Sequence, residues 1–347
     1  KGFGDEARSD LLLHPEPDTL SLLPWRPEHG KVVRMFTNIT HPDGRPFICD
    51  TRNLLKNAIK KAEEEGFKFS FGVEQEFYLF KLDENGNPTK EVYDNAGYMD
   101  IAPDDRGENI RREICLTLEQ MGIRPERSHH EEGPGQNEVS IRYSDALTAA
   151  DNALTFQTVV RTVAHRNGLC ADFSAKPLEN EPGNSFHINM SVKSREGADY
   201  LHYMIAGILD KIEEMTAFLN PTENSYKRFG SYKAPRYISW SSENRSQLIR
   251  VPAAYGEYER AELRSPDPST NPYIAFALLI YAGLYGIKSR LELPVAADYN
   301  LYKADPDTLS RFRQLPQSLK AACRLAAGSD FIKECIPAAI IDSYCIR

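Results

Sequence analysis

The chain has 347 residues, 41% hydrophobic and 27% charged, enough to bury a large core and, by length, to form two domains. A net charge of -8 argues against nucleic acid or an anionic membrane as the main partner, because both select basic surfaces. Six scattered cysteines, Cys49, Cys115, Cys170, Cys323, Cys335 and Cys345, show neither a CxxC pair nor metal-finger spacing, which suits a reducing, cytoplasmic compartment.

The elements follow in chain order. Residues 1–48 alternate turn signals ("HPEPDT", "HPDGRP") with short apolar runs such as "KVVRMFTNI", which suggests a small strand-rich unit. The opening "KGFGDEARSD" has no signal-peptide character, and a chain that starts without Met is expected to lack part of its N-terminus. A helical pattern at 52–65 leads into a strand at 68–80, closed by the turn "DENGNP". Ile110, Ile114, Leu118 and Met121 predict a helix with Asp104 or Asp105 as N-cap and Gly122 as its stop. Further helices are predicted at about 145–166, 199–219, 271–290 and 307–326. Between them stand the strand-like pieces "NEVSIRY", "SFHINMSV", "RYISWS", "SQLIRVP" and "RAELRS". The longest apolar run, "IAFALLIYAGLYGI", is too short to span a bilayer. Without regular βαβ alternation, the pattern predicts an α+β fold with a largely antiparallel sheet.

One strand is chemically odd. "GVEQEFYLF" alternates at period two, yet places Glu74 and Glu76 on one face, where two carboxylates repel unless water or a cation separates them. Other strand-like pieces add Glu131 and Glu138 ("HHEEGPGQNEV"), His187 ("NSFHINMS") and Glu262 ("ERAELRS"). Five Glu and one His suit Mg²⁺ or Mn²⁺ better than structural zinc. Any one of them alone could simply face solvent. A cationic set accompanies them: Arg228, Arg245, Arg250, Arg260 and Arg264 fall within 37 residues. They fit either surface pairs with Glu257 and Glu259 or phosphate recognition. Divalent cations beside arginines describe phosphoryl transfer, and the absence of GxxxxGK[ST] rules out a P-loop.

These residues resemble the type I glutamine synthetase family along most of the chain, through "SDLLLHPEPDTL", "GVEQEFYLF", "AGYMDIAPDD", "HHEEGPGQNEV", "GNSFHINMS", "NPTENSYKRFGSYKAP", "SSENRSQLIRVP", "ERAELRSPDPSTNPYIAFALLIYAGLYGI" and "NLYK". The resemblance implies a β-grasp N-terminal domain, incomplete here, over residues 1–48. It implies a catalytic domain over 49–347, whose curved antiparallel sheet, flanked by helices, forms a two-ended funnel. It further implies a ring-based homo-oligomer, a dodecamer of two hexamers, with sites between neighbours. ATP is the implied co-substrate, with two to three Mg²⁺ or Mn²⁺. Glu76, Glu131 and Glu138 would ligate one metal, and Glu74, His187 and Glu262 another. Tyr143, Asn189, Ser191, Arg250 and Arg260 match the nucleotide contacts, Arg228, Arg264 and Gly183 the amino-acid contacts, and Arg245 the residue at the transferred phosphoryl. Tyr98 and Glu131 match walls of the ammonium pocket.

Departures concentrate at the acceptor end. The family flap "GYEAP" reads "SYKAP", placing Lys233 at the catalytic Glu position, and Pro182 replaces an Asn that contacts glutamate. "MPKP" reads "SAKP" at 174–177, and the loop that carries the family's ammonium-binding Asp is not in this sequence. The expected function is glutamate–ammonia ligation through an acyl phosphate. The alternatives are a γ-glutamyl ligase using another amine or acid, and a catalytically silent nucleotide-binding member. Lys233 either attracts an acidic substrate or points to solvent. Tyr302 in "NLYK" is either a modification site or a plain loop tyrosine.

Overall fold

The computed structural model describes residues 10–26, 30–253 and 259–346; Glu257 lies outside them. Four short strands come first, β1 (Leu12–Pro15), β2 (Ser21–Leu22), β3 (Val33–Arg34) and β4 (Thr37–Thr40). They pair as two separate two-stranded sheets, β1 with β4 and β2 with β3. Asp50 then caps α1 (Thr51–Glu64), its carboxylate accepting from the Arg52 and Asn53 amides.

The chain continues through β5 (Phe67–Leu82), β6 (Pro88–Val92), α2 (Glu108–Gln120), β7 (Pro125–His130), β8 (Gln136–Asp145) and α3 (Ala146–Arg166). Next come β9 (Leu169–Asp172), β10 (Phe186–Ser194), α4 (Leu201–Leu219), β11 (Trp240–Ser242), β12 (Ile249–Val251), β13 (Ala261–Leu263) and α5 (Pro272–Ser289). Four shorter helices close the described chain: α6 (Pro306–Leu309), α7 (Leu319–Gly328), α8 (Asp330–Cys335) and α9 (Ala338–Cys345). Strands β11-β12-β13-β10-β5-β8-β7 form the spine of a nine-stranded sheet, with β6 and β9 also paired to β5. Among the described residues, β11–β12 is the one parallel pairing of this sheet, so the expected α+β architecture and largely antiparallel sheet are observed.

The two sheet faces differ in chemistry because period two sends neighbouring residues to opposite sides. Phe71, Val73 and Phe77 of β5 point to the helical side, where Phe71 stacks on Phe276 of α5 and Phe77 meets Phe156 of α3 edge-on. Helix α5 is long and apolar enough to cross a membrane, yet it is mostly buried inside the protein. Its glycines let it lie against α4. A Cβ on Gly286 would stand 2.1 Å from the Tyr203 carbonyl, and one on Gly207 2.2 Å from the Ala282 carbonyl.

Two sequence expectations are corrected. Asp105 does not cap α2; Gly107 occupies that position, and the buried Asp105 carboxylate instead takes both arms of the Arg111 guanidinium, at 2.5 and 3.1 Å. The expected helix over 307–326 is broken between α6 and α7. Ile238 N donates to the Arg313 carbonyl and Leu315 N to the Arg236 carbonyl, so tertiary pairing claims backbone that a helix would use.

Candidate active site

The remaining face of the sheet carries the polar residues, and the register assembles them. Across β5, Glu74 stands opposite His187 of β10, and Glu76 opposite Glu138 of β8. Asn189 stands opposite Glu262 of β13, and Glu262 opposite Arg250 of β12. A register shift where Gly72 faces the Arg142–Tyr143 stretch brings Tyr143 over Gly72, whose missing side chain leaves room; an added Cβ would sit 3.2 Å from that of Tyr143.

Two chambers open on this face. The larger, about 1020 Å³, is lined by Gly72, Tyr143, Asn189, Ser191 and Arg260 among others. The second, about 600 Å³, gathers Glu74, Glu76, Tyr98, Glu131, Glu138, Gly183, His187, Lys233, Arg245, Arg250, Glu262 and Arg264. Glu74, Glu126, Arg127, Asn189 and Arg260 line both. Of the expected nucleotide residues, Tyr143 and Ser191 line the larger chamber alone, Asn189 and Arg260 line both, and Arg250 lies with the acceptor residues in the second. Arg228 is the exception: at 1% exposure it lies beneath the second chamber, donating to the Ser265 carbonyl at 3.0 Å and to Ser185 Oγ at 2.8 Å.

Crowded carboxylates shift one another. Burial, then the charges of Glu74, Glu76, Glu131 and Glu262, push the Glu138 carboxyl well above the usual range. Burial and Glu131 also raise Glu76. Glu262 goes the other way: despite burial, Arg264, His187 and Arg250 hold it down to about 2. Its oxygens accept from Arg264 at 2.5 Å and Arg250 at 2.8 Å. For Glu74, the His187 hydrogen bond outweighs burial and lowers it. A site in which burial and like charge penalise ionised carboxylates fits a divalent cation, which would remove that penalty.

The ligand atoms within mutual reach group differently from the resemblance. Glu74, Glu138 and His187 form one close set, and His129, Glu131 and Glu138 another, with Glu138 common to both. Glu76 is held by Ser185 N at 2.7 Å and Gln136 Nε2 at 3.1 Å, and Glu262 by its arginines. Sequence reasoning missed His129, whose Nε2 lies 2.8 Å from Glu131 Oε1. Its signal was the i, i+2 spacing inside "HHEE".

Lys233 is neither free in solvent nor an unpartnered cation. Its ammonium pairs with Glu132 and lies 5.1 Å from the Tyr98 ring centre. Tyr232 and Lys233 both have left-handed backbone, φ 46° and 63°, a costly pair for non-glycine residues. Two side-chain pins hold it: the Lys233–Glu132 pair, and Tyr232 Oη donating to the Asn180 carbonyl at 2.7 Å. Arg245 lines the same chamber and is exposed. Arg260 donates to Asn189 Oδ1 at 2.9 Å, and Asn189 donates to Glu74 Oε1 at 3.0 Å.

Comparison with known proteins agrees with the geometry. The model of the glutamine synthetase catalytic domain matches residues 48–346. Glutamine synthetase of Methanosarcina mazei is 44% identical across 99% of this chain and 80% of its own length. That of Clostridium saccharobutylicum is 42% identical across 99% and 81%. A solved GmaS/ADP complex superposes with a TM-score of 0.87 at 28% identity, over 99% of this chain and 82% of that one. The Plasmodium falciparum glutamine synthetase structure shares the fold at a TM-score of 0.85 and 23% identity, over 99% and 83%. A sheet face of carboxylates and arginines with these relatives defines an ATP-dependent ligase. The chain belongs to the glutamine synthetase family.

Proposed function

We propose that this chain is a glutamine synthetase, joining ammonia to the γ-carboxylate of glutamate at the expense of ATP through an acyl phosphate. The observation that carries this reading is the pairing of Lys233 with Glu132. With its charge balanced by Glu132, Lys233 is a weaker anchor for an acidic second substrate, which favours a small amine at the acceptor end. Tyr143 and Ser191 would receive the nucleoside, and Arg250 and Arg260 its phosphates. Arg245, which lines the second chamber, would face the transferred phosphoryl group, where a guanidinium fork stabilises developing charge.

Glu76, Glu131 and Glu138, and Glu74, His187 and Glu262, would hold Mg²⁺ or Mn²⁺, two to three ions in all, which supply charge neutralisation at the phosphates. Gly183 would offer backbone to the amino acid, since its Cβ position is filled by the Ala175 carbonyl at 2.4 Å and Arg228 Cγ at 2.5 Å. Arg228 would orient this loop from below and Arg264 would meet the glutamate carboxylate. Tyr98 and Glu131 would wall the amine pocket, with Glu131 accepting the proton that ammonium loses. The division near residue 48, a ring-shaped homo-oligomer up to a dodecamer, and a cytoplasmic location complete the proposal; the first is supported by the separate small sheets before α1.

Phosphate release from ATP and glutamate tests this against a panel of amines. Release that depends on ammonium supports the reading. Release only with a larger amine would make the chain a γ-glutamyl ligase of another specificity, and none with any acid or amine would make it a nucleotide-binding member without turnover.

A further inference from the structure

Behind the acceptor chamber lies a buried network that the chemistry above does not use. His130 is fully buried, its Nε2 2.9 Å from Asp94 Oδ1 and its Nδ1 2.7 Å from the Glu131 carbonyl. A carbonyl only accepts, so Nδ1 donates to it, and Nε2 stands within hydrogen-bond reach of the Asp94 carboxylate.

Asp94 is saturated. Its Oδ1 also accepts from Gly135 N at 3.0 Å, and its Oδ2 from Arg106 N at 3.1 Å and Gly107 N at 3.2 Å. Although the ligand atoms of Asp94, Asp105 and His130 lie close enough for an ion, Arg111 and these amides already occupy the carboxylates. The cluster is therefore a fastening. It ties four segments: the strand exit at Asp94, the start of α2, the turn at Gly135, and the 129–131 segment. His130 also accepts, through its carbonyl, from Met99 N at 3.1 Å, one residue beyond Tyr98.

We propose that Asp94 and His130 are positioning residues that fix the amine-side wall, His130 gripping Glu131 by its carbonyl and Met99 by its amide, with no part in nucleotide binding. This rests on the glutamine synthetase reading for the identity of the amine. No residue of the pair lines either chamber, so an effect on the amine must travel through Glu131 and Tyr98.

His130→Gln tests it, because a glutamine amide can still donate to Asp94 but leaves the Glu131 carbonyl without its donor. The expected result is a rise in the KM for ammonium of about tenfold or more, the range lost when supporting contacts behind a site are removed, with the KM for ATP within about twofold. Asp94→Asn should act in the same direction. A merely structural role would lower the active fraction and leave both KM values alone, and that result would overturn the proposal. Hydrogen exchange on the unmodified protein gives an answer independent of variant folding: the Met99 amide should exchange as slowly as the β5 amides, and exchange at the rate of an open loop would also overturn it. Absence of ammonium-dependent turnover in the unmodified protein would instead count against the functional reading, and the exchange result would still decide the fastening.

Discussion

Lys233 and Glu132, 101 residues apart in sequence, form an ion pair at the acceptor chamber, with the Lys233 ammonium above the Tyr98 ring. The lysine side chain is 44% exposed, so the pair contributes to stability only at the level of about 1 kcal/mol or less. Its effect belongs to the chamber. Lys233→Glu should set two carboxylates against each other, release the left-handed loop and lower kcat/KM for ammonium several-fold. The exchange of both residues, Lys233→Glu with Glu132→Lys, should recover most of the loss. Steady-state kinetics on the two single variants and the double checks this, and no recovery would show that the pair is not what Lys233 supplies.

Glu138→Gln should have opposite effects without and with metal. Burial and four neighbouring carboxylates disfavour its ionised form, so removing the charge should raise Tm in chelator. The same change removes a ligand common to both close sets, so the Tm increase on adding Mg²⁺ should largely vanish, along with phosphate release. Calorimetry with and without Mg²⁺ measures both effects. An unchanged Mg²⁺ response would remove Glu138 from the metal set.

The N-terminal strands should detach in acid. Glu16 accepts from Arg52 at 2.5 Å and Asn38 at 2.6 Å and pairs with Lys56; these contacts outweigh burial and hold its carboxyl down to about 2 against an ordinary 4.5. A folded value below the unfolded one stabilises the protein fully above pH 4.5, and that contribution disappears as pH falls from 4.5 towards 2. The partly exposed site suggests about 1 kcal/mol. Urea midpoints of the unmodified protein and Glu16→Gln should differ at pH 6, draw together below pH 4.5 and converge only at about pH 2.

Gly286→Ala should destabilise the core. The new methyl would stand 2.1 Å from the Tyr203 carbonyl, on backbone that cannot swing away, and overpacking of this kind costs about 1–3 kcal/mol. Gly328→Ala, with nothing near its Cβ, is the control and should be close to neutral.

Local patterns carried the main elements and the acidic face. Period two in "GVEQEFYLF" located β5 and put Glu74 and Glu76 on one side, and apolar spacing found α1 through α5 within a few residues. What sequence could not show were choices made by distant partners. The 307–326 pattern remains amphipathic, but bonds from residues 236–238 outcompete its middle turns. Asp105 looks like a cap until Arg111 claims it. Tyr143 reaches the larger chamber because of an irregularity opposite Gly72, invisible without the partner strand. The Lys233 partner has no local signal, which is why attraction of an acidic substrate and solvent exposure were both open.

Glu74, Asn189 and Arg260 form a hydrogen-bonded chain that belongs to the wall of both chambers. Were a bound phosphate to draw Arg260 away, Asn189 would lose the contact that fixes its amide, and the hydrogen bond it gives Glu74 would be held less firmly. Any coupling carried by this chain would be reciprocal: by whatever factor a ligand in the larger chamber changed affinity in the second, a ligand in the second would change affinity in the larger by the same factor.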